Sequence, residues 1–349
     1  MDASTIDVAV WNVKGGERRD LALDLLAERQ PDVVLLQETT HGGDQGGRLL
    51  HAAEKRLKLR GFLSRPPFGV STDIATAVYL RPGLFHVAEQ GSGGTPWWSP
   101  PCHVQAQLGD CSVPLHFVAF HMCGFDADRR LGEAGWLTTL AHPGMATIAA
   151  GDTNSYPRRC EPVALPDWEK VTDRAYMVQR TYLDAHGGRR SDTRPDSALI
   201  DAGYVDLARH AADHLGLEGE GALAATAGFH LHDQGGPQRT DRGYAAGGVA
   251  AALEHVEVAD TEDTRAASDH ALLIFRFHRA RLERVLAQTP YAQQAGAGRA
   301  RPAATTGGRA SRRPVLAHGP APQERRGERA ALTVLSARSL PVQGHHHPF

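Results

Sequence analysis

The chain is laid out as apolar segments of strand length, and nearly every one of them meets a polar residue at its end. Ile6–Trp11 alternates as a half-buried strand does and stops at Asn12. The run Asp32-Val33-Val34-Leu35-Leu36-Gln37 is almost continuously apolar, which suits a strand covered on both faces, and it stops at Glu38. Leu115–His121 ends in its own histidine, and Met145–Ala150 runs into Gly151-Asp152-Thr153-Asn154. Arg239-Thr240-Asp241 opens the segment Arg242–Ala246, and Ser268-Asp269-His270 precedes Ala271–Phe277. Ile74–Leu80 and His103–Leu108 read as further strands. Helices are expected between them. Glu17–Arg29 places Leu21, Leu25 and Leu26 on one face and is closed by Pro31, and Leu49–Leu59 is a second helix. Asp126–Leu140 carries its own cap in Asp126 and turns Leu131, Trp136, Leu137 and Leu140 inward. Many strands with helices between them predict a layered α/β sandwich.

With 349 residues, 41% of them hydrophobic, the chain can bury a core over most of its length. No apolar run is long enough to span a bilayer, and Met1–Val10 lacks the basic start and apolar stretch of a secretory signal, so a cytoplasmic monomer with no transmembrane segment is expected. Cys102, Cys111, Cys123 and Cys160 form no CxxC pair, which excludes a zinc ribbon or a dithiol redox motif. Charge is unevenly divided. From Arg281 onward there are eleven arginines against three glutamates, so the net charge of −2 leaves about −10 on residues 1–280. That acidic body is ill suited to tracking long duplex DNA, where phosphate neutralisation dominates affinity. The expected organisation is a catalytic domain over 1–280 and an Arg/Ala/Gly/Pro-rich, disordered tail over 281–349.

The polar strand ends share a chemistry. Strand ends that meet at one rim of a sheet give rigid, convergent side chains. Glu38, Asp269 and Asn12 offer oxygen ligands of the kind that hold Mg²⁺ or Mn²⁺, which would neutralise phosphate charge and stabilise a leaving oxygen. Asp152 can take a proton from an attacking water, and Asn154 can hold that water or the scissile phosphate. His270, oriented by Asp241, can donate to a non-bridging oxygen, and His121 can serve the same charge from another side. Each element alone has a plainer reading: Asn12 as a turn residue, Glu38 as a solvated carboxylate, Gly151–Asn154 as a tight turn, His121 as a core histidine, Asp241 as a partner of Arg239, Ser268–His270 as a cap or loop. Turn chemistry does not account for all of them in this order at strand edges.

In that order the motifs resemble the endonuclease/exonuclease/phosphatase superfamily, the deoxyribonuclease I-like group. Trp11-Asn12, Pro31 to Glu38, Ala77–Arg81, His121, Gly151–Asn154, Leu199–Asp206, Arg239–Asp241 and Ser268–His270 carry the likeness, over roughly residues 5–278. The resemblance implies a two-sheet β-sandwich flanked by helices. It implies Glu38 as principal ligand of a divalent cation with Asn12 and Asp269, Asp152 and Asn154 on the nucleophilic water, Asp241 paired with His270 on the phosphate, and His121 at the transition state or leaving group. His121 separates the chain from the abasic-site repair branch, where a tyrosine is expected. Three departures stand out: Thr240 in place of an aliphatic, Arg242-Gly243 after Asp241, and a long polar stretch from Pro157 to Arg190. The segment from Gly216 to Gln238 carries no readable pattern.

The function expected is therefore metal-dependent phosphoester hydrolysis, as a phosphodiesterase or nuclease whose partner is a phosphoester, nucleic acid included. The alternatives are a phosphatase or phosphodiesterase acting on a small molecule or lipid headgroup, and a catalytically silent binding module of the same fold.

Overall fold

The computed structural model describes residues 4–64, 74–92, 97–217 and 221–288. In chain order the elements are β1 (Thr5–Asn12), α1 (Arg19–Arg29), β2 (Val33–Gln37), α2 (Asp44–Leu57), β3 (Arg60–Leu63), β4 (Ala77–Leu80), β5 (Phe85–Ser92), β6 (Ser99–Leu108), β7 (Leu115–His121), α3 (Ala127–Thr138) and β8 (Ala146–Asp152). There follow α4 (Arg174–Gln179), β9 (Thr181–Leu183), β10 (Arg189–Ser191), α5 (Arg194–Asp201), β11 (Val205–Asp206), α6 (Leu207–Leu215), β12 (Asp241–Ala246), β13 (Leu253–Ala259), α7 (Glu262–Ala267), β14 (Leu272–His278) and α8 (Arg279–Gln288). One six-stranded sheet has the order β13-β14-β1-β2-β4-β3 and the other β11-β12-β8-β7-β6-β5, while β9 and β10 form a separate hairpin. Each large sheet is antiparallel except for one parallel pair, β1 with β2 and β7 with β8. The expected two-sheet sandwich flanked by helices is what the chain forms.

The apolar runs follow from burial on both faces of each sheet. Val8, Val10, Val33, Leu35, Phe117, Ile148 and Phe275 fill the core between the sheets. Their neighbours Ala9, Trp11, Val34 and Leu36 point the other way and pack beneath α1 with Leu23 and Leu26. On the far side Val118, Phe120, Ala149 and Tyr244 meet Leu137 and Leu199 of α3 and α5. Period-two alternation with both faces covered gives a continuous hydrophobic string, as β2 shows.

Several boundaries differ from expectation. The strand expected from Ile74 begins only at Ala77; the Thr76 N–H is taken by the Ser64 hydroxyl (3.2 Å) instead of a strand carbonyl, while its own hydroxyl bonds Pro100 O (3.1 Å) and Cys102 N–H (2.8 Å). In α1 the buried face is Ala22, Leu23 and Leu26, with Leu21 and Leu25 only partly covered. The boundary expected after residue 280 falls inside α8, whose Leu282 and Leu286 are buried in the inter-sheet core. Residues 289–349 of the expected tail lie outside the described residues. Arg242-Gly243 does not interrupt β12, whose six residues are all buried. Gly243 is there because the Phe275 ring lies against its backbone, and a Cβ would come within 2.5 Å of that ring.

His103 and His116 face each other across β6 and β7, stacked at 5.1 Å with Nε2 and Nδ1 2.9 Å apart. Burial, helped by His116, pulls His103 down to about 4, so the folded protein holds it neutral. The unfolded chain binds that proton near pH 6.5. The stabilisation is thus complete above about pH 6.5 and falls away as pH drops toward 4, by on the order of 3 kcal/mol. Urea midpoints measured between pH 7 and 4 should show this loss, and His103→Gln should flatten the slope.

Candidate active site

The strand pairings bring the expected residues to one rim. Asn12 is the register partner of Gln37 in the parallel β1–β2 pair, so Asn12 and Glu38 emerge side by side. His121 is the partner of Asp152 in the parallel β7–β8 pair, and Asp241 of β12 faces Asp152 from its other edge. Ser268 donates its hydroxyl to Asn12 O (2.7 Å), and Trp11 Nε1 donates to His270 O (2.9 Å), which sets Asp269 and His270 over the end of β1.

Hydrogen bonds then join the two sheets. Asn12 Nδ2 donates to Glu38 Oε1 (3.0 Å) and lies 3.5 Å from Asp152 Oδ2. Gly15 N–H donates to Glu38 Oε2 at 2.8 Å. His121 Nε2 stands 3.6 Å from Asp152 Oδ2 and 3.8 Å from Glu38 Oε1. Asn154 N–H donates to Asp152 Oδ1 (2.8 Å), and its side-chain amide donates to Met122 O (2.8 Å). Glu38 and Asn154 both hold left-handed backbone, φ 58° and 48°, a conformation that costs a non-glycine residue energy and clusters at functional positions. His270 Nδ1 bonds Asp241 Oδ2 at 2.8 Å, which leaves Nε2 facing the rim, 4.0 Å from Asp269 Oδ1. Asp269 is half-exposed and reaches the cluster from this side.

The electrostatics follow. Burial opposes the charge on His270, but Asp241, with help from Asp152 and Asp269, lifts it to about 10, so the ring is an imidazolium that can donate from Nε2. Burial likewise opposes ionisation of Asp152, yet His270, His121 and Arg180 hold its carboxyl below the usual carboxylate range. Arg239 is not the partner of Asp241. It forms a buried pair with Asp206 at 2.6 Å, while Asp241 N–H donates to Thr226 Oγ1 (2.9 Å).

Sequence reasoning missed the residues that hold this rim from beneath. Arg180 lies in the polar stretch between Pro157 and Arg190, and its Nη1 donates to Gly124 O (2.7 Å) and Asn154 O (3.2 Å) while its guanidinium covers the Tyr176 ring at 5.0 Å. Arg242, fully buried, donates to Thr153 Oγ1 (2.6 Å) and Ser155 Oγ (2.8 Å) under the Asp152–Asn154 turn. Arg130 and Asp192, also fully buried, pair at 2.8 Å, and Arg130 donates further to Cys123 O (2.7 Å) and Gln179 O (2.8 Å). No local pattern marks any of them, since each acts on a segment distant in the chain.

An acidic cluster able to hold a divalent cation is present. Ligand atoms of Asp152, Asp241 and His270 lie within 4.8 Å of one another. Asp241 Oδ2 is engaged by His270 and Asp152 Oδ1 by Asn154 N–H, and the Glu38 carboxylate is engaged in the same way by Asn12 Nδ2 and Gly15 N–H. The oxygen atoms of Glu38, Asn12 and Asp269 are of the kind that hard divalent cations bind. Beside them a cleft of about 280 Å³ is lined by Lys14, Arg18, Phe229, His230, Arg265 and Asp269.

The family model described as Endonuclease/Exonuclease/phosphatase family matches residues 9–340. No curated protein matches the chain by sequence. Among solved structures, an AP endonuclease from Archaeoglobus fulgidus is similar with a TM-score of 0.54 at 16% identity, over 78% of this chain and 99% of that one. The 3′ phosphatase NExo from Neisseria, bound to a product DNA hairpin, gives 0.53 at 18% identity over 78% and 99%. Humanised D. rerio TDP2 gives 0.52 at 16% identity over 79% and 99%. At these identities the likeness is one of fold.

Asp192→Ala should cost about 3–5 kcal/mol, because it leaves the Arg130 guanidinium buried and unpaired. A urea titration reads the loss. An unchanged midpoint would show that water or another acceptor replaces the carboxylate.

Proposed function

Because the chain belongs to the endonuclease/exonuclease/phosphatase family, we propose that it is a divalent-metal-dependent phosphodiesterase that cleaves nucleic acid by in-line attack of water. The observation that carries this reading is the convergence of Asn12 and Glu38 at the end of one sheet with Asp152, Asn154 and His121 at the end of the other, bridged by the Asn12–Asp152 contact and the Asp241–His270 hydrogen bond.

The roles follow from position. Mg²⁺ or Mn²⁺, held by Glu38 with Asn12 and Asp269, would neutralise phosphate charge and stabilise the leaving oxygen. Asp152, kept ionised in a buried setting, accepts the proton of the attacking water. Asn154 holds that water or the phosphate, its side chain fixed by Met122 O. His270 donates from Nε2 to a non-bridging oxygen while Asp241 fixes the ring and its tautomer. His121, close to both carboxylates, stabilises the charge that develops on the opposite side. The cleft beside Asp269 is lined by Lys14, Glu17, Arg18 and Arg265, with Lys14 paired to Glu17 and Arg265 to Asp260.

One observation favours a second reading. The charge of about −10 on residues 1–280 suits a small phosphoester better than a long duplex. A panel of oligonucleotides, nucleotides, sugar phosphates and lipid headgroup esters, each with Mg²⁺, Mn²⁺ or EDTA, separates the two. Cleavage of oligonucleotides that EDTA abolishes is expected. Turnover confined to small esters would favour the second reading, and no turnover of any ester would leave only a binding module. Asp152→Ala and His270→Ala should each lower kcat, measured per folded protein, by about two to four orders of magnitude, and His270→Ala, which leaves Asp241 buried without its partner, should also lower the unfolding midpoint. Full activity in either would remove that residue from the mechanism. Glu38→Gln should raise the Mg²⁺ concentration required for half-maximal rate.

A further inference from the structure

Beside the rim stand two aromatic side chains that the reaction as described does not use. Trp98 and Phe125 are 39% and 47% exposed, and their rings meet edge to face at 4.9 Å. The other large hydrophobic side chains that are exposed among the described residues, Val178, Leu183, Leu215 and Leu231, are all aliphatic. Placement is what gives the pair meaning. Trp98 precedes Ser99, the register partner of His121 across β6 and β7. Phe125 follows Gly124, which lies so close to the Asn154 carboxamide that a Cβ there would be 3.6 Å from its Oδ1. Trp98 is thus one residue from the strand partner of His121, and Phe125 one residue from the glycine that packs on Asn154.

Their backbones are also held rigidly. Glu133 of α3, with no solvent exposure, accepts Trp98 N–H on Oε1 (2.7 Å) and Cys123 N–H on Oε2 (2.6 Å). Trp97 turns inward against Trp136 at 5.7 Å, which leaves Trp98 pointing out. Arg180 fixes Gly124 through its carbonyl, just before Phe125. Burying a carboxylate is unfavourable unless it is well bonded. Here its bonds fasten the segments under two exposed rings. A rigid, solvent-facing aromatic surface next to a phosphate-handling site has the chemistry of a stacking platform, since every nucleobase presents a flat π-face.

We propose that a nucleobase adjoining the scissile phosphate stacks on the Trp98 indole, which the Phe125 ring supports edge to face. The proposal rests on the nucleic-acid reading above and narrows it to single-stranded or frayed substrates, because a base inside a duplex keeps its faces covered by its neighbours.

The test uses the full chain and short single-stranded oligodeoxynucleotides in which one base, on the 5′ or the 3′ side of the cleaved bond, is replaced by a tetrahydrofuran residue. For each protein the readout is the ratio of kcat/KM on the complete strand to that on the base-free strand, so a loss of folded protein cancels. The wild type should show a ratio of about ten or more on one side of the bond, the order of a single base stack. In Trp98→Ala and Phe125→Ala the ratio should fall toward one, and Trp98→Leu and Phe125→Leu, which keep apolar bulk without a ring, should behave alike. A ratio near one in the wild type, or one that persists in the variants, overturns the platform while leaving the phosphodiesterase reading intact. Failure of the wild type to cleave any oligonucleotide, with small esters still hydrolysed, overturns both.

Discussion

Asp152 is the carboxylate at which the two sheets meet. It ends a central strand, faces His121 and Asp241 on its two neighbours, and stands within 3.5 Å of Asn12 from the opposite sheet. A buried carboxylate with this many neighbours keeps its charge only because His270, His121 and Arg180 surround it. The geometry of the rim and the charge on this one residue therefore support each other: if the sheets slid apart, His270, which leads into β14 of the opposite sheet, would be drawn away from it, while His121 on the adjoining β7 would stay.

The arginines show how this family fold is braced in a chain with only four lysines. Arg130, Arg239 and Arg242 are buried, and each uses the planar fork to bind a carboxylate, a hydroxyl or a backbone carbonyl from a different segment. An ammonium offers a point charge and no such fork, so lysine could not make the same set of bonds. Buried ion pairs of this kind add little net stability over an apolar contact. Their consequence is geometric: Arg130 and Arg180 draw the stretch between Pro157 and Arg190 against the turn that bears Asn154.

The sequence showed the strand ends clearly because the signal was local. An apolar run that stops at Asn12, Glu38, His121 or Asp152 is visible without knowing its neighbours, and parallel or antiparallel pairing then carries those residues to one edge. What it hid depends on distant partners. Arg180 looked like one arginine in a long polar stretch, and nothing in the sequence singled out Glu133, whose partners Trp98 and Cys123 lie on other segments. Gly243 looked like a weakness in β12 until the Phe275 ring beside it explained the missing side chain. The short β3, the bulged β5 and the half-exposed β13 were also illegible, since partial burial blurs a period-two pattern.

The last strand returns beside the first, and Arg279 N–H donates to Ser4 O at 2.8 Å. Both positions lie at the floor of the sandwich, a full strand length of roughly 25 Å from the rim. A fluorophore, surface tether or fused protein attached at Ser4 would leave the mouth of the site open to a polymer. Trimming is less forgiving, since removing α8 would strip Leu282 and Leu286 from the inter-sheet core and leave a greasy scar on the protein's underside.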